Sequence, residues 1–362
     1  MKAASFCLFL VLVSCAAYAG SEPHYFYTAL ESSSYSEIAP IKQLLDDLEG
    51  PKFDRGDLVF SHSWLELGER RGPWEVGVFA RYDYFLEFNN DTAELAYADK
   101  NAIELEKNRR YQVYLQPNTL RARGVGVGYY FAPSAAFSLR LRGNYLRASQ
   151  LSDGKLAGEL HALEDSVEAN LQLDYNYSRD ALLKREEERV RGNGLSLDVD
   201  LHWQIASHWR VDFYSRDLLS AIWWRDVTYT RATAISDTIS YDEDGSINAR
   251  PAVSGRESYR DHRQTLPRQL SLGAQYQWRE PVSLSLTLQS HDKYLFPQLA
   301  VQWQAAASRW QASYDIERRA LGLSLQRGNV ALQLRADALV PDKAKAFTLA
   351  FNYRLPLSSP FW

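Results

Sequence analysis

The chain has 362 residues, with 41 Lys and Arg against 45 Asp and Glu, a formal charge of −4, and 46% hydrophobic and 13% aromatic residues. No basic block stands out, which argues against a nucleic-acid partner, and the only long apolar run is N-terminal, which excludes a bundle of membrane-spanning helices. The length suits one large barrel or two average domains, and strands that cross a membrane stay open.

Residues 1–19 read as a secretory leader: Lys2 supplies the positive end, Ala3 to Val13 the apolar run, and Ala17-Tyr18-Ala19 the cleavage site before Gly20. Both cysteines, Cys7 and Cys15, fall in this leader, so cleavage leaves neither a disulfide nor a Cys-based metal site. The run Leu12-Val13-Ser14-Cys15 offers the rival reading of a lipobox with Cys15 acylated.

Residues 20–56 are heterogeneous, with an aromatic patch at Tyr25-Phe26-Tyr27 and helical spacing of Ile41, Leu44, Leu45 and Leu48 that Gly50-Pro51 ends. They are expected to form a short N-terminal segment that plugs or lines the domain after it. From Asp57 the period becomes two. Trp74, Val76, Val78, Ala80, Tyr82, Tyr84, Leu86 and Phe88 alternate with Glu75, Gly77, Phe79, Arg81, Asp83, Phe85 and Glu87. The same alternation runs over Val167–Tyr177 and residues 195–205, and near Phe137–Tyr145, Leu270–Trp278, Val282–Leu288, Leu299–Trp303, Trp310–Ile316, Val330–Leu334 and Phe347–Leu355.

A soluble sandwich also alternates. These strands, however, run to about ten residues where soluble strands average about 5–6, and their apolar faces end in Trp or Tyr, as interfacial girdles do. Charges such as Asp198, Asp200 and His202, or Arg140 and Arg142, would cost several kcal/mol each in a dry core unless paired, and they suit a wet lumen. The expected fold is all-β: a transmembrane antiparallel β-barrel over 57–355 with about 14 strands, within 12–16, and a tail at 356–362. One conflict arises in chain order. Short turns should be periplasmic and long loops extracellular, which suits loops near 89–109 and 150–165, yet the charged run Arg179 to Asn193 falls between two tight turns.

The leader, the alternation, tight turns such as Ala132-Pro133-Ser134 and Ala206-Ser207-His208, and the closing Phe361-Trp362 together resemble the outer-membrane β-barrel proteins of Gram-negative bacteria. Leu266-Pro267 before a strand, the glycine-rich strand face and the N-terminal segment are similar to the hydrophobic-compound transporters that include the long-chain fatty-acid channel. The resemblance implies the cell outer membrane, with outer-membrane lipid, lipopolysaccharide and the barrel-assembly machinery as partners. In one respect the chain departs from the pattern: alternation stops near Leu355 and Pro356 to Pro360 intervene.

Hairpin arithmetic over the 206–208 turn sets Gln204 beside Arg210, His202 beside Asp212, Asp200 beside Tyr214 and Asp198 beside Arg216 in the lumen. These charges read either as a proton-active pair or constriction, or as a lattice that stiffens the barrel, and the lattice is favoured. Gly124, Gly126 and Gly128 alternate on one strand, and folding over the next turn brings Gly128 near Arg140 and Gly126 near Arg142. That arrangement would be a groove for a carboxylate or phosphate, or a space that a large side chain fills. Residues 217–265 form the largest irregular region, and its acidic turn Asp242-Glu243-Asp244-Gly245 has too few oxygen ligands for a calcium loop of the EF type. The seven histidines form no H-E-x-x-H, and no G-x-S-x-G surrounds a serine; Asp261-His262 and His291-Asp292 are the places where a barrel hydrolase would assemble. No enzyme activity, cofactor or metal is expected. The function expected is a passive channel or transporter for a small solute, hydrophobic or anionic, with a non-conducting assembly or structural barrel as the alternative.

Overall fold

The computed structural model describes residues 23–164, 166–178, 190–235, 239–241, 247–249 and 252–357. In chain order its strands are β1 (His24–Ser36), β2 (Leu58–Arg71), β3 (Trp74–Phe88), β4 (Arg109–Ser134), β5 (Phe137–Ala162), β6 (Val167–Tyr177), β7 (Gly192–Ala206), β8 (Trp209–Ile235), β9 (Ile239–Tyr241), β10 (Ile247–Ala249), β11 (Ala252–Gln264), β12 (Gln269–Arg279), β13 (Val282–His291), β14 (Tyr294–Ala305), β15 (Ser308–Asp315), β16 (Ala320–Arg327), β17 (Val330–Ala336) and β18 (Ala346–Pro356). Helices α1 (Ile41–Leu45) and α2 (Asn90–Lys100) lie in connections. Among the described residues no helix is long and apolar enough to cross a membrane.

Neighbouring strands pair antiparallel, and β18 returns to β1 from Tyr25↔Pro356 to Tyr35↔Ala346, so the sheet closes on itself. The wall has 14 positions, because two of them are each shared by a pair of strands. β6 pairs with residues 152–162 of β5, β7 with residues 137–148, and both pair with β8. They are the upper and lower parts of one wall strand broken between Tyr177 and Gly192. β11 and β12 share a position on the other side of β8 in the same way, broken at Thr265–Arg268. The conflict at Arg179–Asn193 is thereby resolved: no spanning strand is missing and no long periplasmic connection is needed. Residues 179–189 lie outside the described set.

Each break leaves ladder groups without their strand partners, and in a membrane such groups must be satisfied internally. Ser178 does this at the first break: its N–H donates to the Leu151 carbonyl at 2.9 Å and its hydroxyl accepts the Leu151 N–H at 3.0 Å. At the second, Leu266 N–H donates to Ser220 Oγ at 2.9 Å, and Asn118 Nδ2 donates to the Thr265 carbonyl at 2.8 Å.

Short turns join β2 to β3, β4 to β5, β7 to β8, β12 to β13, β14 to β15 and β16 to β17 at one rim, where the first and last described strands also end. The connections carrying α1 and α2 lie at the other, so the first rim is periplasmic and the second extracellular. Outside, aromatic pairs ring the periplasmic rim: Trp74 with Tyr129, Phe137 with Trp203, Trp209 with Tyr276, and Trp303 with Trp310. On β3, Val76 and Val78 are 49% and 55% exposed while Glu75 and Arg81 are 3% and 4% exposed, so the apolar face points outward and the charged face inward. This is a transmembrane β-barrel with its apolar surface toward lipid.

Several expectations are corrected. Residues 20–56 are not an N-terminal plug: residues 24–36 are the wall strand β1, hydrogen-bonded to β18 and β2, and residues 37–57 are the first extracellular connection. The barrel thus begins at His24, not residue 57, and runs to Pro356. The helical spacing at Ile41–Leu48 yields a single turn, α1. The described residues of 150–165 and 217–265 are largely strand: β5 and β6 pair out to Ala162↔Val167, and β8 and β11 pair from Ala252↔Ile235 to Gln264↔Ile222. Asp242–Gly245 and the leader at 1–19 lie outside the described residues.

The projecting strands β4, β5, β6, β8 and β11 curl together until Gln264 Nε2 of β11 donates to the Thr119 carbonyl of β4 at 3.0 Å. Beneath that seal Trp64, Phe79, Leu146, Ile222, Trp224 and Leu266 form an apolar cluster inside the barrel. A second cluster of Tyr35, Leu58, Phe60, Phe85 and Phe296 closes the remaining extracellular side.

Candidate functional site

With its extracellular half filled, the lumen opens in its periplasmic half as a cavity of about 560 Å³ lined by Tyr25, Tyr27, Glu75, Tyr130, Arg309 and Arg354 among others. A second space of about 420 Å³, among Gln204, Arg210, Gln275, Gln277, Gln302 and Gln304, shares Arg309 with the first. Its inward faces on β12 to β14 carry glutamine and serine, which hydrate without net charge.

The arc from β1 to β8 carries an ionic lattice instead. Arg142 lies buried 2.6 Å from Glu66 and 2.9 Å from Glu75, and Arg140 lies 3.0 Å from Glu75 and 2.5 Å from Asp200. Tyr27 and Tyr130 donate to Glu66 and Glu75, each at 2.6 Å, and Trp64 Nε1 donates to Glu66 at 2.9 Å. Deeper in the lumen, Arg81 grips both Asp217 oxygens at 3.0 and 2.7 Å and Asp83 at 2.6 Å. His62 bridges Asp83 and Arg216, and Arg216 reaches Glu31 at 2.9 Å. Every one of these guanidiniums is matched by at least one carboxylate, as buried charge requires.

The hairpin arithmetic places three of its four pairs correctly: Gln204↔Arg210, His202↔Asp212 and Asp200↔Tyr214. His202 Nδ1 meets Asp212 at 2.7 Å near the exposed periplasmic rim, and Arg210 Nε donates to the same carboxylate at 2.9 Å. The fourth pair fails. Register jumps from Val199↔Ser215 to Leu197↔Leu219, so β8 holds extra residues around Asp217, whose φ is 55°. Asp198 therefore accepts from Asn144 Nδ2 at 2.7 Å and from Asp217 N–H at 3.0 Å, and Arg216 turns to Glu31.

The glycine groove is also corrected. Gly128 pairs with Arg142 and Tyr130 with Arg140, because the turn after β4 shifts the register by two. Space above the glycines is occupied: a Cβ on Gly126 would overlap the Arg142 guanidinium, and one on Gly124 would overlap Phe79 and the Tyr145 carbonyl. With Arg140 and Arg142 held by carboxylates of the chain itself, the groove offers no vacant anion site.

Sequence reasoning missed two cations without an ion-pair partner among the described residues, of which Arg354 lies 5.5 Å over the Tyr25 ring. Arg309 and Arg354 line the cavity across from the lattice, are exposed, and form no ion pair with a described carboxylate. Parity holds the signal: each precedes an outward residue, Trp310 or Leu355, on a strand recognised as alternating. The partners Glu31, Glu66 and His62 come from strands remote in sequence, and only closure of the barrel brings them together. Of the two Asp-His dipeptides, His262 meets Asp153 at 2.7 Å and His291 stacks on Phe60 at 4.1 Å, an ionic contact and a packing contact. Among the described residues no cluster of His, Cys, Asp and Glu could hold a metal ion.

No protein-family model and no curated protein matches the chain. Among solved structures it is similar to a TodX deltaS2S3 mutant, a monoaromatic hydrocarbon channel, at 9% identity over 93% of this chain and 91% of that one, with a TM-score of 0.48. It is also similar to the monoaromatic hydrocarbon channel CymD at 8% identity over 94% and 90%, TM-score 0.43. A third is the outer-membrane protease OmpT from Escherichia coli, at 6% identity over 94% and 96%, TM-score 0.26. No residue role passes from any of these to this chain.

Proposed function

We propose that the protein is a gated outer-membrane transporter for a small amphiphilic solute carrying an anionic group. The observation that carries this reading is the asymmetry of the lumen. Its periplasmic half is an open cavity lined by aromatic rings and by two guanidiniums that form no ion pair among the described residues, and among those residues its extracellular half is shut by side chains of the wall. Tyr25, Tyr27, Tyr130 and Tyr214 offer aromatic ring surface to an apolar body, and Arg309 and Arg354 each offer a guanidinium to an anionic group. Leu266, on the short break between β11 and β12, is a member of the closing cluster that lies outside a regular strand ladder.

The test is single-channel conductance of the refolded chain in a planar bilayer, wild type beside Leu266→Ser, with heat-modifiable migration as the control for folding. Low conductance that rises several-fold in the variant supports a gate. Deleting residues 20–56 would not serve, since it removes β1 from the wall. Silence from both folded proteins would overturn the proposal and favour a non-conducting structural barrel, a reading that the carboxylate-matched lattice also supports.

A further inference from the structure

The lipid-facing wall carries a feature that transport does not use. Arg121, Arg123, Arg147 and Arg191 are all exposed on the outer surface, and together they line an external depression of about 550 Å³. Arg123 and Arg147 are directly paired across β4 and β5, an arrangement of like charges that destabilises a sheet unless an anion lies between them. None of the four forms an ion pair with a described carboxylate. Below them toward the periplasm the wall is apolar, with Val125, Val127, Tyr145 and Leu195 exposed, and Leu30, Leu65 and Tyr82 line the side of the depression.

Depth identifies what meets this patch. On β5, Arg147 stands ten residues above Phe137 of the periplasmic girdle. At about 3.3 Å per residue and a tilt of about 40°, that is about 25 Å, the height of the apolar band of such barrels. The arginines therefore sit at the extracellular edge of the hydrocarbon, where headgroup phosphates lie and where a guanidinium costs little. Planar guanidinium forks match phosphate oxygens two at a time.

We infer that Arg121, Arg123, Arg147 and Arg191 form a binding site for the phosphates of an outer-leaflet glycolipid of the lipopolysaccharide class, whose acyl chains lie against the apolar wall below. The site is independent of the lumen and of whatever the barrel carries.

The experiment uses the refolded full chain and bis-phosphorylated lipid A as the probe, with binding read by native mass spectrometry and by the temperature at which heat-modifiable migration is lost. Arg123→Gln is expected to weaken lipid A binding about tenfold, and the fourfold Gln variant about a hundredfold or more, with both still folded. Monophosphorylated lipid A should bind more weakly than the bis-phosphorylated form, and inorganic phosphate, which lacks chains, should not raise the transition temperature. Equal binding by wild type and the fourfold variant would overturn the site.

Discussion

The three alternating glycines of β4 separate a ligand groove from a structural packing site by one comparison, Gly126→Ala against Gly128→Ala. A methyl group on Gly126 would occupy the place of the Arg142 guanidinium, whereas on Gly128 its nearest neighbour would be Glu75 Cβ at 3.4 Å, an ordinary contact. Arg142 cannot move away freely, because Glu66 at 2.6 Å, Glu75 at 2.9 Å and the Asn144 side-chain carbonyl oxygen at 2.9 Å hold it. Displacing it breaks two buried charge-assisted contacts worth about 1.5–3 kcal/mol each, less some recovery by water from the adjoining cavity. Gly126→Ala should therefore cost about 2–4 kcal/mol and Gly128→Ala less than about 1 kcal/mol. Urea unfolding in lipid vesicles, followed by tryptophan fluorescence, measures both. In an Arg142→Ala background the Gly126→Ala cost should fall below about 1 kcal/mol, since the three atoms nearest the methyl group all belong to the Arg142 guanidinium. Equal costs at 126 and 128, or an undiminished cost without Arg142, would refute the reasoning. Unchanged stability with altered transport would restore the groove as a ligand site.

The same geometry sets further outcomes. Asp83→Asn strips one of the two carboxylates from buried Arg81 and should cost about 2–4 kcal/mol; Asp212→Asn, near the rim with an exposed His202, should cost less than about 1 kcal/mol by the same urea titration. Replacing both Arg309 and Arg354 with Gln should shift the reversal potential of the Leu266→Ser channel toward cations, and an unchanged value would remove these residues from the conduction path. Ser178→Ala leaves the Leu151 N–H without its acceptor and should cost about 1–3 kcal/mol, with faster amide exchange at Leu151 by mass spectrometry; exchange at the wild-type rate would show that another group takes over.

Where one strand face is apolar and the other charged, sequence and structure agree to the residue: Trp74–Phe88 and Val167–Tyr177 are β3 and β6 as read. β1 escaped because its outward face carries Ser32 and Ser34, which meet Ser63 and Ser61 of β2 through side-chain hydrogen bonds. With serine outside and Tyr25, Tyr27 and Tyr35 inside, polarity does not alternate. β8 beyond Arg216 was hidden for a related reason. Trp223 faces outward at 48% exposure while Trp224 is buried inside, so two consecutive large apolar residues mask the period of two. The pairing of Asp198 with Arg216 failed at a bulge, where β8 sets three residues, 216–218, opposite Asp198 alone. Lattice partners from distant strands have no local signal at all, because hairpin arithmetic reaches only across the nearest turn.

The two wall breaks are best understood together, because they flank the same strand. β8 passes from β7 to β6 between Trp224 and Thr228, and from β12 to β11 between Arg216 and Ile222. Along that stretch it has unusual backbone at Asp217 and Asp226, both at positive φ, and fewer ladder bonds than elsewhere. A continuous barrel wall opens only by unzipping a long ladder, a cost near the global stability, whereas a segment with broken ladders opens locally for far less. The apolar cluster of Ile222, Trp224, Val227 and Leu266 gathers at this weak point, beside the polar groups of Ser178, Ser220 and Asn118 that bond the freed backbone. Such a closure is stable when packed and needs only a side-chain displacement to release. The residues that shut the lumen therefore stand where the wall's ladder is already interrupted, which is where the proposed gate needs them.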